Sequence, residues 1–87
     1  MKQFEKSRDI AFRVISGKAY IVNTRTSTLC ELNETGTFLW KLMDSSVIRQ
    51  DLVNKMHDTY DVSFNDARKD VDEFLNELKI NGLISDK

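Results

Sequence analysis

The period of the hydrophobic pattern changes once along this chain, and this change constrains the fold more than any other feature. From Ile10 to Leu32, apolar residues alternate with polar ones, as in half-buried strands. From Asn33 onward they recur every three or four residues, as in amphipathic helices. Strands followed by helices are typical of an α+β domain. The sequence therefore predicts a winged helix-turn-helix-like fold, with a three-stranded antiparallel sheet followed by three helices.

The strand half is predicted to be a meander. Gly17 and Lys18 are expected to form a tight hairpin turn between the first two strands. In the third strand, Leu29 is expected on one face and Cys30 on the other, since neighbouring side chains point to opposite faces. The predicted strands are Ala11–Ser16, Ala19–Asn23 and Thr28–Leu32.

The helical half contains two clear capping signals. Asn33 is placed to cap a first helix that ends near Met43, and Ser63 is placed to cap a third helix that ends before Gly82. A second helix is predicted from about Val47 to Tyr60, with Ser45 or Ser46 as its cap. The third helix has the strongest apolar stripe, which consists of Ala67, Val71, Phe74, Leu75 and Leu78.

Length and charge exclude several classes of protein. The 87 residues are sufficient for a single domain, whose core is expected to span about residues 10–84. The net charge of -1 does not favour nucleic-acid binding, which usually needs a basic surplus. A single cysteine permits no internal disulfide and suits a reducing compartment. With no signal-peptide pattern and no apolar run long enough for a bilayer, the predicted location is the cytoplasm, without membrane contact.

The chain offers few residues for chemistry. Cys30 and His57 are the only thiol and imidazole, and neither a third orienting group nor a set of converging metal ligands accompanies them. Asp70, Glu73 and Glu77 lie along one side of the third helix, where a solvated face is the simplest interpretation. We therefore expect no catalytic residue, no metal and no cofactor.

Five short segments together resemble a known family. The chain looks like a member of the pyrroloquinoline quinone biosynthesis protein D (PqqD-like) family, also described as the peptide-recognition element of ribosomally synthesised, post-translationally modified peptides. The resemblance covers roughly Phe12 to Ile84. The matching segments are Gly17–Tyr20, Cys30–Gly36 (with its Leu-Asn-x-Thr-Gly helix start), Phe38–Asp44, Asp70–Leu75 and Gly82–Ile84.

The resemblance implies a non-enzymatic carrier of leader peptides. In that family the leader adds as an extra strand beside the third strand, leans on the last helix, and is presented to a separate enzyme that uses S-adenosylmethionine radicals or ATP. Strand addition needs an unpaired sheet edge, which a meander leaves on its last strand. Arg68 and Lys69 are then expected to pair with leader carboxylates. The predicted peptide-binding residues are Thr28, Leu29, Cys30 and Glu31 on the strand, and Arg68, Val71, Asp72 and Leu75 on the helix.

Two other functions remain open at this point. A winged-helix regulator would use the third helix to read DNA, but residues 63–81 carry five acids against three bases, a charge of -2 that repels phosphate. A purely structural interaction adaptor is the other alternative. The sequence is compatible with a monomer or a weak dimer.

Overall fold

Two antiparallel sheets and three helices make up residues 2–86, the part of the chain that the computed structural model describes. One sheet has the strand order β2-β3-β4, and the other has the order β5-β1-β6. The elements are β1 Gln3–Lys6, β2 Ile10–Ile15, β3 Lys18–Asn23, β4 Thr28–Glu31, α1 Glu34–Lys41, β5 Val47–Ile48, α2 Arg49–Thr59, α3 Phe64–Ile80 and β6 Ile84–Asp86. The predicted meander and the three helices that follow it are confirmed.

The hairpin between β2 and β3 turns at Ser16 and Gly17, one position earlier than the sequence predicted. Both residues have positive φ, 52° and 80°. When both central residues of a two-residue loop have positive φ, the twist of the loop matches that of the flanking strands. Short hairpin loops therefore favour this conformation. The strands then pair from Ile10 with Asn23 to Ile15 with Lys18.

A threonine side chain ends the ladder between β3 and β4. Leu32 N–H still donates to Ala19 C=O at 2.8 Å. The return bond is replaced by the buried hydroxyl of Thr37, which accepts from Ala19 N–H at 2.8 Å and donates to Leu32 C=O at 3.5 Å. This hydroxyl therefore fixes α1 against the sheet at the point where β4 ends.

Both predicted helix caps are confirmed. Asn33 Oδ1 accepts from Gly36 N–H at 2.8 Å, and Ser63 Oγ accepts from Asp66 N–H at 3.1 Å. Each cap satisfies one of the N–H groups that the first turn of a helix leaves free. At the other end of α3, Leu83 N–H bonds to Leu78 C=O at 2.8 Å and Gly82 has a φ of 70°, which together form a Schellman ending.

The second sheet was not predicted, and it changes the start of α2. Val47 and Ile48 do not begin a helix; they form β5 and pair with Phe4 and Gln3 of β1. The N-cap of α2 is Ile48, with no side-chain bond to the first turn. The expected cap at Ser45 or Ser46 is therefore wrong, since Ser46 Oγ instead donates to Glu5 Oε2 at 3.4 Å.

The core lies between the β2-β3-β4 sheet and the helices. All five residues of the predicted apolar stripe on α3 are buried. Trp40 is fully buried, and its ring meets Phe12 edge-on with centroids 5.3 Å apart. Burial of a large apolar side chain contributes about 1.5–3 kcal/mol, so the packing of Trp40 stabilises the attachment of α1 to the sheet.

Candidate functional site

The outer edge of β4 is open. Within residues 2–86, β4 pairs only with β3, matching Cys30 to Ile21 and Leu29 to Val22. Bonded and non-bonded pairs alternate along an antiparallel ladder. Because the bonded pairs include Leu32, they also include Cys30, and the backbone N–H and C=O groups of Leu29 and Glu31 point away from β3. Those four groups are available to another extended chain.

A groove of about 420 Å³ lies beside this edge, between the end of β4, the start of α1 and one side of α3. Its apolar lining comes from Leu32, Leu39 and Phe74, all of which are also core residues. The four α3 residues in the lining follow one helical stripe, since they are spaced by three or four positions. These are Asp70, Glu73, Phe74 and Glu77.

Cys30 joins the strand to the helix under this groove. Its buried Sγ donates to Glu77 Oε1 at 3.7 Å. Burial and the adjacent Glu77 carboxylate raise the pKa of the Cys30 thiol to about 11. A thiol in this state stays protonated at neutral pH, whereas nucleophilic cysteines have a lowered pKa. The contact therefore serves to hold β4 against α3.

The structure does not bring the four predicted α3 residues to the groove. Val71 and Leu75 are buried on the core side of the helix. Asp72 forms a two-point ion pair with Arg49 of α2, and this bond lowers the pKa of the Asp72 carboxyl. Arg68 donates to Asn65 at 3.0 Å within its own helix. Their role in peptide binding stays a prediction, and none of them lines the groove.

The sequence predicts a solvated face on the side of α3 that lines the groove. Asp70, Glu73 and Glu77 have the polar spacing of an exposed helix surface, and that part of the interpretation agrees with the structure. One signal in the sequence distinguishes this face from an ordinary solvated one. Its three charged residues are all acidic, and they surround the apolar side chain of Phe74.

The predicted strand residues are all on β4, with their side chains on different faces. Leu29 is 64% exposed, so the prediction that it faces away from the core is confirmed. Glu31 lines the groove and lies 3.9 Å from Lys18 Nζ. His57 does not line the groove; its Nδ1 lies 2.9 Å from Val62 C=O, and its ring stacks on Phe64.

No helix within residues 2–86 has the length and apolar character to span a bilayer. Across the same residues, no group of three or more His, Cys, Asp or Glu side chains is arranged to hold a metal ion.

Two solved structures are similar to this chain over nearly its whole length. One, described as "TbiB1 in Complex with the TbiA(beta) Leader Peptide", is 20% identical, with 93% of this chain and 94% of that chain covered and a TM-score of 0.86. The other, described as "Lasso peptide synthetase B1 complexed with the leader peptide", is 22% identical, with 94% and 96% covered and a TM-score of 0.81. At these identities the likeness shows a shared fold.

Among curated proteins, none matches this chain. The family described as "Coenzyme PQQ synthesis protein D (PqqD)" matches residues 18–84. That range contains β4, all three helices and every residue that lines the groove. The chain therefore belongs to the PqqD family.

Proposed function

We propose that this chain binds the leader segment of a ribosomally made precursor peptide by strand addition to β4. The observation that carries the proposal is the open edge of β4, where Leu29 and Glu31 direct unpaired backbone groups outward next to the groove. Backbone bonds give affinity that tolerates sequence variation, and alternate side chains of the guest give specificity. Membership of the PqqD family and the two leader-bound structures of similar fold support the same function.

The chain then presents the leader to a separate modifying enzyme and performs no chemistry itself. The raised pKa of Cys30 supports this, because the only thiol is held in its protonated form. The enzyme uses S-adenosylmethionine radicals or ATP, and the encounter takes place in the cytoplasm, where ribosomal precursors are made. A DNA-binding role is not favoured, since the exposed flank of α3 beside the sheet is acidic and repels phosphate.

The direct test is isothermal titration with a synthetic leader peptide, taken from any short precursor that an adjacent gene encodes. A disordered leader loses conformational entropy on docking, so we expect a Kd of roughly 0.1–50 µM. Leu29→Pro removes one outward N–H without touching the ladder to β3, and it is expected to raise Kd about tenfold or more. Leu29→Thr keeps that N–H and serves as the matched control. Saturable binding that Leu29→Pro leaves unchanged would place the leader elsewhere.

A further inference from the structure

The charge of the groove is concentrated and of one sign. Four of the ten lining residues are acidic and none is basic, although the whole chain has 13 basic and 14 acidic residues. Glu31 has a nearby cation in Lys18. The ion pairs among residues 2–86 do not include Asp70, Glu73 or Glu77. Three carboxylates beside the open edge are therefore without a cationic partner in this part of the chain.

A guest strand on β4 would bring its own side chains to these carboxylates. Side chains on a strand alternate, so every second guest residue faces α3 and the apolar floor formed by Leu39 and Phe74. From Asp70 to Glu77 the acidic stripe extends about 10 Å along the helix. Two guest residues on the same face are about 6.6 Å apart. The stripe therefore accommodates cations at two such positions.

Resting on the proposed function, we infer that the leader recognised by this chain is basic where it crosses the groove, with Lys or Arg at two positions separated by one residue. The open strand edge defines the site, and the acidic stripe selects its occupant. This reverses the expectation from the sequence that Arg68 and Lys69 pair with leader carboxylates. Arg68 bonds within α3, and neither residue is in the groove lining.

The arrangement also predicts how the selection works. Exposed ion pairs give modest affinity, but a charged groove speeds encounter with an oppositely charged segment and rejects an acidic one. The interaction is therefore expected to weaken as salt is added, because ions screen charges over about 8–10 Å. Backbone bonds to Leu29 and Glu31 are much less sensitive to salt, so the two contributions can be separated.

The test uses displayed random peptides of about a dozen residues, long enough to cross the groove as one strand. They are selected on the wild-type chain and counter-selected on Leu29→Pro. The expected result is enrichment of Lys or Arg at positions two apart. One enriched peptide is then titrated against Asp70→Asn/Glu73→Gln, which should weaken it about 2- to 30-fold and flatten its salt dependence. Asp58→Asn/Asp61→Asn removes the same charge outside the groove and should leave Kd unchanged. Glu77 is left intact because it holds Cys30.

The possible outcomes separate the two proposals. Peptides that lose binding with Leu29→Pro, yet show no basic enrichment or no response to Asp70→Asn/Glu73→Gln, would overturn the basic-leader inference while the strand-addition proposal stands. A selection in which no peptide distinguishes wild type from Leu29→Pro would overturn both.

Discussion

Replacing Gly82 by alanine tests how the end of α3 is locked to the sheet. Gly82 has a φ of 70°, and a Cβ built there would lie 2.8 Å from Nδ2 of Asn23. That buried amide donates to the carbonyl oxygens of Asn81 and Gly82 at 3.2 and 3.3 Å. An alanine therefore has two separate costs, the left-handed backbone and the displacement of Asn23.

The chain provides a control for the first cost. Gly17 also has a positive φ, 80°, but nothing lies within 4 Å of the place its Cβ would occupy. A left-handed non-glycine residue costs about 1–2 kcal/mol, which is the whole expected effect of Gly17→Ala. Loss of an amide hydrogen bond adds about 0.5–1.5 kcal/mol. We therefore expect Gly82→Ala to lower the free energy of unfolding by about 1.5–3.5 kcal/mol.

Urea unfolding followed by Trp40 fluorescence measures both variants, compared at equal m-values. In an Asn23→Ala background the excess cost of Gly82→Ala should disappear, because the displaced group is gone. If Gly82→Ala costs no more than Gly17→Ala, or if the excess persists without Asn23, the proposed clash is not the cause. A domain of this size has roughly 4–13 kcal/mol of total stability, so the effect is measurable.

Three further changes have defined outcomes. Unfolding returns the Cys30 thiol to its ordinary pKa, so the unfolded chain loses that proton at a lower pH than the folded chain does. The free energy of unfolding should therefore fall as pH rises from about 9 to 11. In urea titrations, Cys30→Ala should remove that part of the fall. Arg68→Ala and Asp72→Ala should leave leader Kd unchanged by calorimetry if the leader lies in the groove, and a marked rise would instead support the helix residues predicted from the sequence. Val71→Asp should lower unfolding free energy by about 3 kcal/mol or more, since it buries an unpaired carboxyl; a folded, stable variant in circular dichroism would contradict this.

The local parts of the fold were predictable because their signals lie within a few residues. Asn33 and Ser63 each bond to an amide three positions later, and the α3 stripe repeats at helical spacing. β1 gave no such signal. Phe4 is its only buried residue, and its pairing depends on Val47 and residues 84–86, which are far away in sequence. Contacts of that range leave no periodic pattern to detect.

The strand side of the groove could be predicted from the sequence, whereas the helix side could not. β4 was predicted because the last strand of a meander has a free edge whatever its neighbours are. To predict which α3 residues line the groove, one must know how α3 is rotated about its own axis, and the sequence does not give that rotation. The sequence hypothesis placed Val71 and Leu75 on the groove wall, but both side chains are buried in the core. The stripe from Asp70 to Glu77, about a third of a turn away around the helix, lines the groove beside the open edge.

The pairing of β1 with β6 has a consequence for how this domain can be built into larger proteins. Phe4 lies opposite Asp86, and Lys2 Nζ is 3.2 Å from the Asp86 carboxylate, so the start of β1 and the end of β6 lie side by side. Neither strand contributes to the groove lining. A short connector from Asp86 to Gln3 would suffice in a circular permutant of the described residues. Equally, a host enzyme could accept the whole domain in one surface loop while peptides still reach it.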